Sequence, residues 1–531
     1  MNNLIEAIRL HNFKKFKEQI IAFNNGRNIL IGENGVGKSS ILLAISCVLS
    51  GSYSVIEKLG LQTLFNVEAI KDFMNSEKKF SELPLVEVEL FINDDVNNHE
   101  INGKKNSLGI EKNGLKMRIF PNEELSDLIK ESLESTNIFP FEYYNVEFST
   151  FSDRSYSSYR KYPDFIKYSY LDSSKVNSNY AMKDYINRIY ESKTDRSLRY
   201  KINNKYRNIT QQFSDNLYTE FALEMTDDLK IKLNTQNENS FQDNITVEKA
   251  GIHIENLGQG EKIFINTEFL LTNSSEDSKI VLIEEPENHL SYLNMNKLID
   301  RIIAAGDEKQ TFIATHSNMI VSRLDLKNAV FFSEKGITNL EELKIETAKF
   351  FEKAPDNNVL NFILSKRAIL VEGDAEYILL NEFYNYIKMT EPYNQDITII
   401  SCGGKTFKRY LEIARLLKKK VAVITDNDHD YKKNISENYV DFISDQVKIF
   451  ADDDNSKHTF EVSLYEYNKS FIDTFLANAN MNNGVQSYML NNKAESAFRL
   501  LCLFTNESPE TNLSEFKIPA YIEEAIKWIT D

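Results

Sequence analysis

One glycine-rich stretch near the N-terminus, GENGVGKSS, constrains the fold of this chain most. It spans residues 32–40 and matches the pattern G-x-x-x-x-G-K-[ST]. The run NILIG before it has the character of a buried strand, and KSSILLAISCVLSG after it has that of a helix ending at Gly51. A turn between such a strand and helix surrounds phosphate with backbone N–H groups. The sequence therefore predicts an α/β domain that binds a nucleotide here.

The side chains of this loop have separate predicted roles. We expect Lys38 to reach the β- and γ-phosphates of ATP and Ser39 to hold Mg²⁺. A chance glycine-rich turn is the alternative, but the flanking strand and helix argue against it. The predicted nucleotide-binding residues of the loop are Gly32, Asn34, Gly35, Gly37, Lys38, Ser39 and Ser40.

Two acids follow an apolar run in KIVLIEEPENHL, residues 279–290. The run Ile280 to Ile283 predicts a buried strand, whose end presents Glu284 and Glu285. We expect Glu284 to hold Mg²⁺ through water, and Glu285 to orient or deprotonate the attacking water. An exposed acidic turn is the other reading, although acids directly after a fully apolar strand favour a functional one.

Two further stretches fit the same nucleotide site. The run QTFIATHS predicts another strand whose end carries His316, a candidate sensor of the γ-phosphate. The run NLGQGEK places Gly258 and Gly260 before a predicted helix, where backbone amides favour a second phosphate.

The pattern restarts in the C-terminal third. RAILVEGDAEYILL predicts a strand followed by Glu372 and a helix whose first turn carries Glu376. DITIISCGGKTFKRYLEIARLLKKK gives another strand, a Gly403-Gly404 turn and a helix carrying Lys405, Lys408, Arg409 and Arg415. VAVITDNDHD gives a strand ending at Asp426 and Asp428. Alternating strands and helices predict a parallel sheet, so Glu372, Asp426 and Asp428 should converge at one edge.

Clustered carboxylates repel one another unless a cation holds them. Oxygen ligands at this density favour Mg²⁺ or Mn²⁺ over zinc, and two such ions can flank the reacting oxygens of a phosphodiester. TDNDHD alone is equally typical of a solvated acidic loop, but VEGDAE at the same sheet edge favours a metal site. The sequence thus predicts a second phosphoryl-transfer centre.

Length and composition limit the classes of protein. A chain of 531 residues is too long for one core and predicts two domains, and a net charge of −17 argues against a general basic coat without excluding a local basic groove. Three widely spaced cysteines make a disulfide framework or zinc site improbable. With no signal-peptide core and no long apolar run, we expect a cytoplasmic protein without membrane contact.

The predicted domains follow these motifs. Residues 101–245 are predicted to form an inserted helical region for dimerisation or DNA contact, although ordinary packing is favoured for its many tyrosines. The predicted divisions are 1–100 for the N-terminal lobe of the ATPase, 101–245 for the insertion, 246–345 for its C-terminal lobe, 346–365 for a connector and 366–531 for the second domain.

Both halves resemble known modules. GENGVGKSS, LGQGEK, LIEEPENHL and ATHS, in that order, resemble the ABC-type ATPase head of SMC, RecF and OLD proteins. LVEGDAE, the GGK turn and DND resemble the Toprim domain of topoisomerases, primases and OLD nucleases. An ABC-type head followed by a Toprim domain with a parallel sheet is the OLD (overcoming lysogenization defect) arrangement, also seen in the Gabija nuclease subunit and in some retron effectors.

The resemblance implies roles that the residues alone do not establish. Metal would be bound by Glu372, Glu376, Asp426, Asp428 and Glu461, and Lys493 is similar to a lysine that supports cleavage. In such heads the glycine turn of one subunit closes over ATP on the other, which implies a homodimer or higher even oligomer. Gly258 stands where many relatives have Ser, and Glu284 where most have Asp.

The function implied is that of an ATP-binding, Mg²⁺- or Mn²⁺-dependent DNA endonuclease in antiphage defence, with a helicase or retron complex as partner. Its predicted catalytic residues are Glu285, His316, Glu372, Asp426, Asp428 and Lys493. Basic residues of 405–420 are the candidates for DNA-backbone contacts. The alternative is a RecF- or SMC-like DNA-repair ATPase whose Toprim module binds DNA without cutting it.

Overall fold

The computed structural model describes residues 4–96, 98–135, 138–158, 167–173, 179–221, 241–272, 278–305, 309–355, 358–476, 484–505 and 516–531. Its contacts divide the chain into two compact units. The first contains Met1–Asn28 and Gly37–Thr315, and the second contains Ile29–Val36 and His316–Asp531. None of the described helices combines the length and apolar character needed to cross a membrane.

The strands alternate with helices along much of the chain. In chain order they are β1 (Ile5–Phe13), β2 (Phe16–Ala22), β3 (Arg27–Gly32), β4 (Val86–Ile92), β5 (Asn102–Gly103), β6 (Lys112–Pro121), β7 (Tyr144–Thr150), β8 (Lys167–Asp172), β9 (Glu248–Lys249), β10 (Ile252–His253), β11 (Ser278–Glu284), β12 (Gln310–Ala314), β13 (Ala329–Ser333), β14 (Gly336–Asn339), β15 (Arg367–Val371), β16 (Ile397–Ser401), β17 (Lys420–Ile424) and β18 (Val447–Phe450).

The helices are listed in the same order. They are α1 (Lys38–Ser50), α2 (Tyr53–Leu59), α3 (Val67–Met74), α4 (Ser126–Ser135), α5 (Asn179–Lys193), α6 (Arg196–Phe221), α7 (Gln259–Thr272), α8 (Tyr292–Ala305), α9 (Asn318–Arg323), α10 (Ile345–Lys353), α11 (Val359–Leu364), α12 (Asp374–Lys388), α13 (Phe407–Leu417), α14 (Phe460–Phe475), α15 (Val485–Asn491), α16 (Lys493–Thr505) and α17 (Ala520–Thr530).

The first unit contains an antiparallel sheet of order β2-β1-β4-β6-β5, with β7 also paired to β6. Alternate residues of these strands are buried and stand in register, as in the row formed by Ile8, Leu90 and Leu115. In the same unit β11 lies between β8 and β12 and runs parallel to both. Helix α1 packs against β4, β6, β8, β11 and β12, which explains why ten of its 13 residues are buried.

The second unit brings the strand before the phosphate loop next to the C-terminal end of the ATPase half. Strand β13 pairs in parallel with β3, so that Ala329 lies opposite Ile29, and it forms an antiparallel hairpin with β14. Helices α10 and α11 then lead into a sheet of four strands in the order β16-β15-β17-β18. All neighbouring strands in this sheet are parallel, as the alternating pattern predicts.

The region 101–245 is more mixed than the predicted helical insertion. Helices α4, α5 and α6 lie in it, but β6 and β7 belong to the antiparallel sheet and β8 pairs with β11. The sequence reading missed these strands because polar residues interrupt their apolar alternation, as in KYSYLD. Residues 159–166, 174–178 and 222–240 of this region lie outside the described residues. The predicted domain limits stay predictions.

Two local expectations in the C-terminal domain were also wrong. Strand β17 ends at Ile424, so Asp426 and Asp428 lie in the turn after the strand and not on its last residues. Lys405 lies before α13 and not on the helix, because the turn built on Gly403 and Gly404 extends through Thr406. Both glycines have positive φ, at 61° and 109°.

Candidate functional site

The phosphate loop adopts backbone angles that favour glycine. Gly32, Gly35 and Gly37 have φ of 156°, 75° and 110°. A Cβ on Gly32 would lie 2.5 Å from the carbonyl oxygen of Phe332, and one on Gly37 would lie 2.5 Å from the ring of Phe16. Both positions therefore exclude any larger residue. Helix α1 begins directly after the loop, at Lys38; Asn34 and Ser39 are exposed, and Ser40 is partly buried.

Lys38 is buried among acids of the first unit. Burial lowers the pKa of its ammonium group to about 8, while the charges of Glu285, Glu287 and Glu284 act in the opposite direction. Lys38 is 7% exposed, so its positive charge has little water to stabilise it. The charges of Lys38 and of both predicted acids, Glu284 and Glu285, thus act on one another. Glu287, which the sequence pattern does not predict, also takes part.

Each acid at the end of β11 or just after it has a defined partner. The hydroxyl of Tyr170 donates to Glu284 Oε2 at 2.7 Å, and Asn288 Nδ2 donates to Glu285 Oε2 at 2.8 Å. The Thr315 hydroxyl donates to Glu287 Oε1 at 2.8 Å. The N–H of residue 285 donates to the Ala314 carbonyl at 2.8 Å, and this residue has a φ of 48°. Hydrogen bonds from neighbouring side chains therefore orient these acids. Tyr170 is not among the residues predicted from the sequence.

The second glycine turn lies against the segment that follows these acids. A Cβ on Gly260 would lie 2.1 Å from the carbonyl oxygen of His289, whereas one on Gly258 would meet no atom within 4 Å. Gly260 is thus required by a close backbone approach, and Gly258 is exposed at the start of α7. His316, in the second unit, is exposed just before α9, and the side chain of Ser317 caps that helix.

In the C-terminal domain, Glu372 and Glu376 lie where β15 passes into α12. The Gly404 N–H donates to the backbone carbonyl of Glu372 at 2.7 Å, which places the GGK turn beside this strand end. Glu376 accepts a hydrogen bond from the N–H of Gly373 at 3.1 Å. Burial, together with the charges of Glu461 and Glu372, raises the pKa of the Glu376 carboxyl to about 7.

Asp426 is the most strongly perturbed acid of this edge. Burial raises the pKa of its carboxyl to about 8, and Glu376, Glu372 and Glu461 add to the rise. Its Oδ1 accepts from the N–H of Phe460 at 2.8 Å, so the start of α14 fixes its position. The structure thus brings together four of the predicted metal ligands, around a side chain that is 8% exposed.

Glu461 and Lys493 form an ion pair at the same place. Lys493 Nζ lies 3.0 Å from Glu461 Oε2, and Glu461 is 2% exposed. Within the described residues, Glu461 Oε1 has no hydrogen-bond partner. Lys493 also lowers the pKa of both Asp426 and Glu376, after the larger effects of burial and neighbouring acids. Both assignments that came only from the resemblance therefore fall beside the other acids.

Asp428 differs from the buried acids. It forms an ion pair with Lys405 of the GGK turn, its side chain is half exposed, and its φ is 47°. Its partner is thus a lysine, whereas Glu372 and Asp426 interact with other acids. Beside it, the rings of His429 and His458 stack with centroids 3.7 Å apart.

Three further residues lie beside these acids and are not among the residues predicted from the sequence. Asn427 donates to the Asp452 carbonyl at 2.7 Å and so joins two loops. The carboxylate of Asp452 accepts from the Ser463 hydroxyl at 2.8 Å. Burial raises the pKa of the Tyr521 hydroxyl, and the charges of Asp426, Glu376 and Asp452 add to that rise, so Tyr521 is close to the acids. For Asp452, the signal was FADDD directly after a strand.

These residues suit a hard divalent cation. All candidate ligands are carboxylates, and the oxygen of Glu461 without a hydrogen-bond partner is the kind of atom that a metal satisfies. Among the described residues, no three His, Cys, Asp or Glu side chains are already arranged at ligand distances. The ion pair with Lys493 occupies one of these carboxylates, Glu461. Cation binding would thus require side-chain movements.

Two family models match the chain. Residues 4–321 match the AAA ATPase domain family, and residues 363–428 match the Toprim domain of proteins similar to the overcoming lysogenization defect protein. The first match contains the phosphate loop and the acids after β11, and the second contains Glu372, Glu376, Asp426 and Asp428.

Curated relatives and solved structures match parts of the chain. The structural maintenance of chromosomes protein 3 homolog of Plasmodium falciparum is 23% identical over 68% of this chain, which spans 30% of that protein. The double-strand break repair Rad50 ATPase of Pyrococcus abyssi is 46% identical over 8% of this chain and 5% of its own length. The match to the Smc head domain of Pyrococcus furiosus covers 66% of this chain and 99% of that structure, with 16% identity and a TM-score of 0.36. The match to the C-terminal region of the Burkholderia pseudomallei OLD protein covers 31% of this chain and 97% of that structure, with 17% identity and a TM-score of 0.24.

Proposed function

This chain belongs to the AAA ATPase-domain family and carries an OLD-like Toprim domain, and from that premise we propose that it is an ATP-binding, metal-dependent DNA endonuclease. The Toprim domain would hydrolyse phosphodiester bonds, and the ATPase half would control it. The proposal extends to a role in antiphage defence, with a partner such as a helicase or a retron complex, because the resemblance to OLD proteins implies that role.

One observation supports the nuclease proposal above all others. Three buried carboxylates, those of Glu376, Asp426 and Glu461, lie together with a single lysine, Lys493, at the end of a parallel sheet. A structural role alone does not explain them, because buried like charges destabilise a fold. Such a set is typical of a site that becomes stable when it binds cations and a phosphate.

The residues have distinct tasks in the proposed reaction. Water attacks the phosphorus atom, and the bond to the leaving oxygen breaks. Glu372, Glu376, Asp426 and Glu461 would hold one or two divalent cations, which supply Lewis-acid stabilisation of the phosphate charge. Lys493, released from Glu461, is placed to donate to a phosphate oxygen. Asp428 and Lys405 lie at the exposed side of the site, where a DNA backbone would enter.

Not every basic residue of 405–420 is available for DNA. Arg409 donates to the Thr347 hydroxyl at 3.0 Å, and Lys419 is buried against backbone carbonyls. The remaining basic side chains, such as Lys405, Lys408 and Arg415, stay candidates for contacts with the DNA backbone.

In the ATPase half, Lys38 and Ser39 would bind the phosphates of ATP and its Mg²⁺, and Glu285 would orient or deprotonate the water. The Asn288 amide, 2.8 Å from Glu285, supports that orientation. Glu284 would hold the metal through water, with Tyr170 fixing its carboxylate. Hydrolysis, or ATP binding alone, would then shift the protein between states that differ in nuclease activity.

Cleavage of supercoiled plasmid tests the proposal directly. The assay compares wild type, Glu372→Ala and Lys38→Ala, with Mg²⁺ or Mn²⁺, with and without ATP. We expect nicking or cutting by wild type, at least about 100-fold less by Glu372→Ala, and a changed response to ATP in Lys38→Ala. If folded wild type binds ATP and DNA but leaves every plasmid and linear DNA intact, the protein is a DNA-binding ATPase and the nuclease proposal is wrong.

A further inference from the structure

Asn318 directly follows His316 and Ser317, and its side chain binds the connector that leads to the Toprim domain. Its Nδ2 donates to the carbonyl oxygen of Pro355 at 2.5 Å, and its Oδ1 accepts from the N–H of Leu360 at 2.9 Å. Both polar atoms of the Asn318 amide therefore bind backbone groups of residues that lie 37 and 42 positions later in the sequence. All these residues belong to the second compact unit.

At the start of α11, the Leu360 N–H has its acceptor in Asn318 and not in the residue that precedes the helix. The first N–H groups of a helix lack partners within the helix, and the preceding residue usually supplies one. Here that residue, Asn358, has a φ of 46°, and its side chain makes no capping hydrogen bond. Asn318 takes over this role from a distant part of the chain. The start of α11 therefore depends on where the segment after His316 lies.

Rigid packing continues from α11 to α13. The ring of Tyr410 is buried and packs edge to face on two other rings. Its centroid lies 5.2 Å from that of Phe362 and 5.1 Å from that of Phe351. The end of α11 is also held, because Lys419 Nζ donates to the carbonyl of Ile363 at 3.0 Å. A shift of α11 would therefore move α13 with it, since densely packed aromatic side chains leave no room for independent motion.

Helix α13 begins directly after the GGK turn of the nuclease site. That turn contacts the acids in two ways: the Gly404 N–H donates to the Glu372 carbonyl at 2.7 Å, and Lys405 pairs with Asp428. The position of α13 therefore sets the position of Lys405. The hydrogen bonds of Asn318 begin a continuous series of contacts that ends at the proposed metal site.

We propose that Asn318 is a positioning residue that couples the γ-phosphate-sensing segment to the GGK turn of the Toprim domain. The inference rests on the proposed function, since it specifies how nucleotide controls the nuclease. When His316 moves on ATP binding, Asn318 moves the start of α11, and α13 carries this movement to Lys405.

Two measurements test this coupling in Asn318→Ala. The first is the ratio of the plasmid cleavage rate with ATP to the rate without it. In Asn318→Ala this ratio should be closer to one than in wild type by a factor of about 2 to 30, the range found for residues that transmit coupling. The second is hydrogen–deuterium exchange of residues 358–364 with and without a non-hydrolysable ATP analogue. Wild type should show an analogue-dependent change in exchange there, and Asn318→Ala should show none.

Asn328→Ala is the matched control. It removes the same amide group from the same unit, but among the described residues the Asn328 side chain donates to a nearby group, the Leu324 carbonyl, at 3.0 Å. It should keep the wild-type ATP response in both measurements. Thermal unfolding and ATP-analogue affinity establish that each variant is folded and binds nucleotide.

The outcomes separate this proposal from the proposed function. If wild type cuts no DNA, the nuclease proposal fails, while the exchange measurement still decides on the coupling. The role of Asn318 is overturned if the ATP response of Asn318→Ala equals that of wild type, if the control loses the response to the same extent, or if residues 358–364 of wild type do not respond to the analogue.

Discussion

Burial distinguishes the first two aspartates of the sequence TDNDHD. Asp426 is 8% exposed and lies near three other acids, whereas Asp428 is half exposed and pairs with Lys405. The same residue type therefore has two chemical roles within three positions. The buried carboxylate is costly until a cation arrives, and the exposed one is stable as it stands.

The first prediction follows from this difference. Without metal or nucleotide, Asp426→Asn should raise the stability of the protein by about 1 kcal/mol or more, because Asn keeps the acceptor for the Phe460 N–H and removes a carboxyl that must either stay charged while buried or take up a proton on folding. Mn²⁺ should then stabilise the variant less than wild type. Thermal unfolding in EDTA and in Mn²⁺ measures both effects.

Asp428→Asn is the control for this prediction. Since Asp428 is exposed and its ion pair is a surface one, its loss should change stability by no more than about 0.5 kcal/mol in EDTA. A drop in the melting temperature of Asp426→Asn in EDTA would contradict this prediction, because it would show that the carboxyl group stabilises the metal-free fold.

At the scale of elements, glycine marks where two backbones meet. The start of α7 approaches the turn after the acids so closely that a Cβ on Gly260 would lie 2.1 Å from the His289 carbonyl oxygen. We expect Gly260→Ala to lower stability by about 1–3 kcal/mol, since a backbone carbonyl cannot move aside as a side chain can. Denaturant unfolding of the isolated variant measures the loss.

Gly258→Ala is the control for the free energy of unfolding of Gly260→Ala. A Cβ there would meet no atom within 4 Å, so its stability should stay within about 0.5 kcal/mol of wild type. Equal losses for both alanine variants would mean that helix-start flexibility, and not the close approach to His289, explains the need for glycine.

The junction of α13 and β17 contains a buried lysine with its own pH dependence. Burial lowers the pKa of Lys419 to about 7, well below its value of 10.5 in an unfolded chain. Between these two values the unfolded state binds more protons, so the stability contributed by this group rises with pH and is lost as pH falls toward 7. The gain is at most about 1.4 kcal/mol for each pH unit.

Comparison with Lys419→Met isolates that contribution. The free energy of unfolding of wild type minus that of the variant should increase between pH 7.5 and pH 9, whereas other titrating groups cancel in the difference. A difference that stays constant over this range would mean that Lys419 is charged in the folded protein. Urea unfolding at the two pH values suffices for the measurement.

The sequence predicts elements well where periodicity and glycine agree. Strand β3, helix α1 and its end at Gly51, and the strands before Glu284, Glu372 and Asp426 all follow from apolar runs bounded by turn residues. Strand β8 was not predicted, because its residues KYSYLD carry little apolar signal and it is stabilised by pairing with β11. Sheet pairing of this kind is a tertiary effect that local pattern does not contain.

The site residues show the same limit. Parallel-strand logic brought Glu372 to Asp426, but it could not show that Asp428 turns toward Lys405. The pairing of Lys493 with Glu461 joins positions more than thirty residues apart, and only the resemblance to a family pointed to either. Tyr170 and Asn318 were missed because hydrogen bonds to distant segments leave no mark in the local sequence.

At the scale of the whole molecule, the boundary between compact units does not coincide with the boundary between motifs. The second unit contains the Toprim domain together with β3 from Ile29 onward, the beginning of the phosphate loop and His316. Lys38, the acids after β11 and the second glycine turn belong to the first. The predicted ATP-binding residues therefore do not all belong to one compact unit.

Trans-complementation tests whether two chains share each ATP site, as the ABC-type resemblance implies. Gly258→Glu should fold, because the space around Gly258 is open, but its negative charge should repel phosphate. Lys38→Ala should fail to bind ATP and should keep an intact glycine turn. Each variant alone should therefore hydrolyse almost no ATP. When the two are co-expressed, half of the dimers are mixed and have one working site of two, so about a quarter of wild-type activity should return.

The control is the double variant, Gly258→Glu with Lys38→Ala in one chain, co-expressed with a chain carrying neither change. Mixed dimers of that pair have no complete site if the sites are shared, because each site then contains either the altered lysine or the altered turn. Activity should therefore fall to about a quarter, from the dimers without any variant chain. If each chain builds its site alone, the single variants will not restore activity, and mixed dimers with the double variant will keep half of theirs.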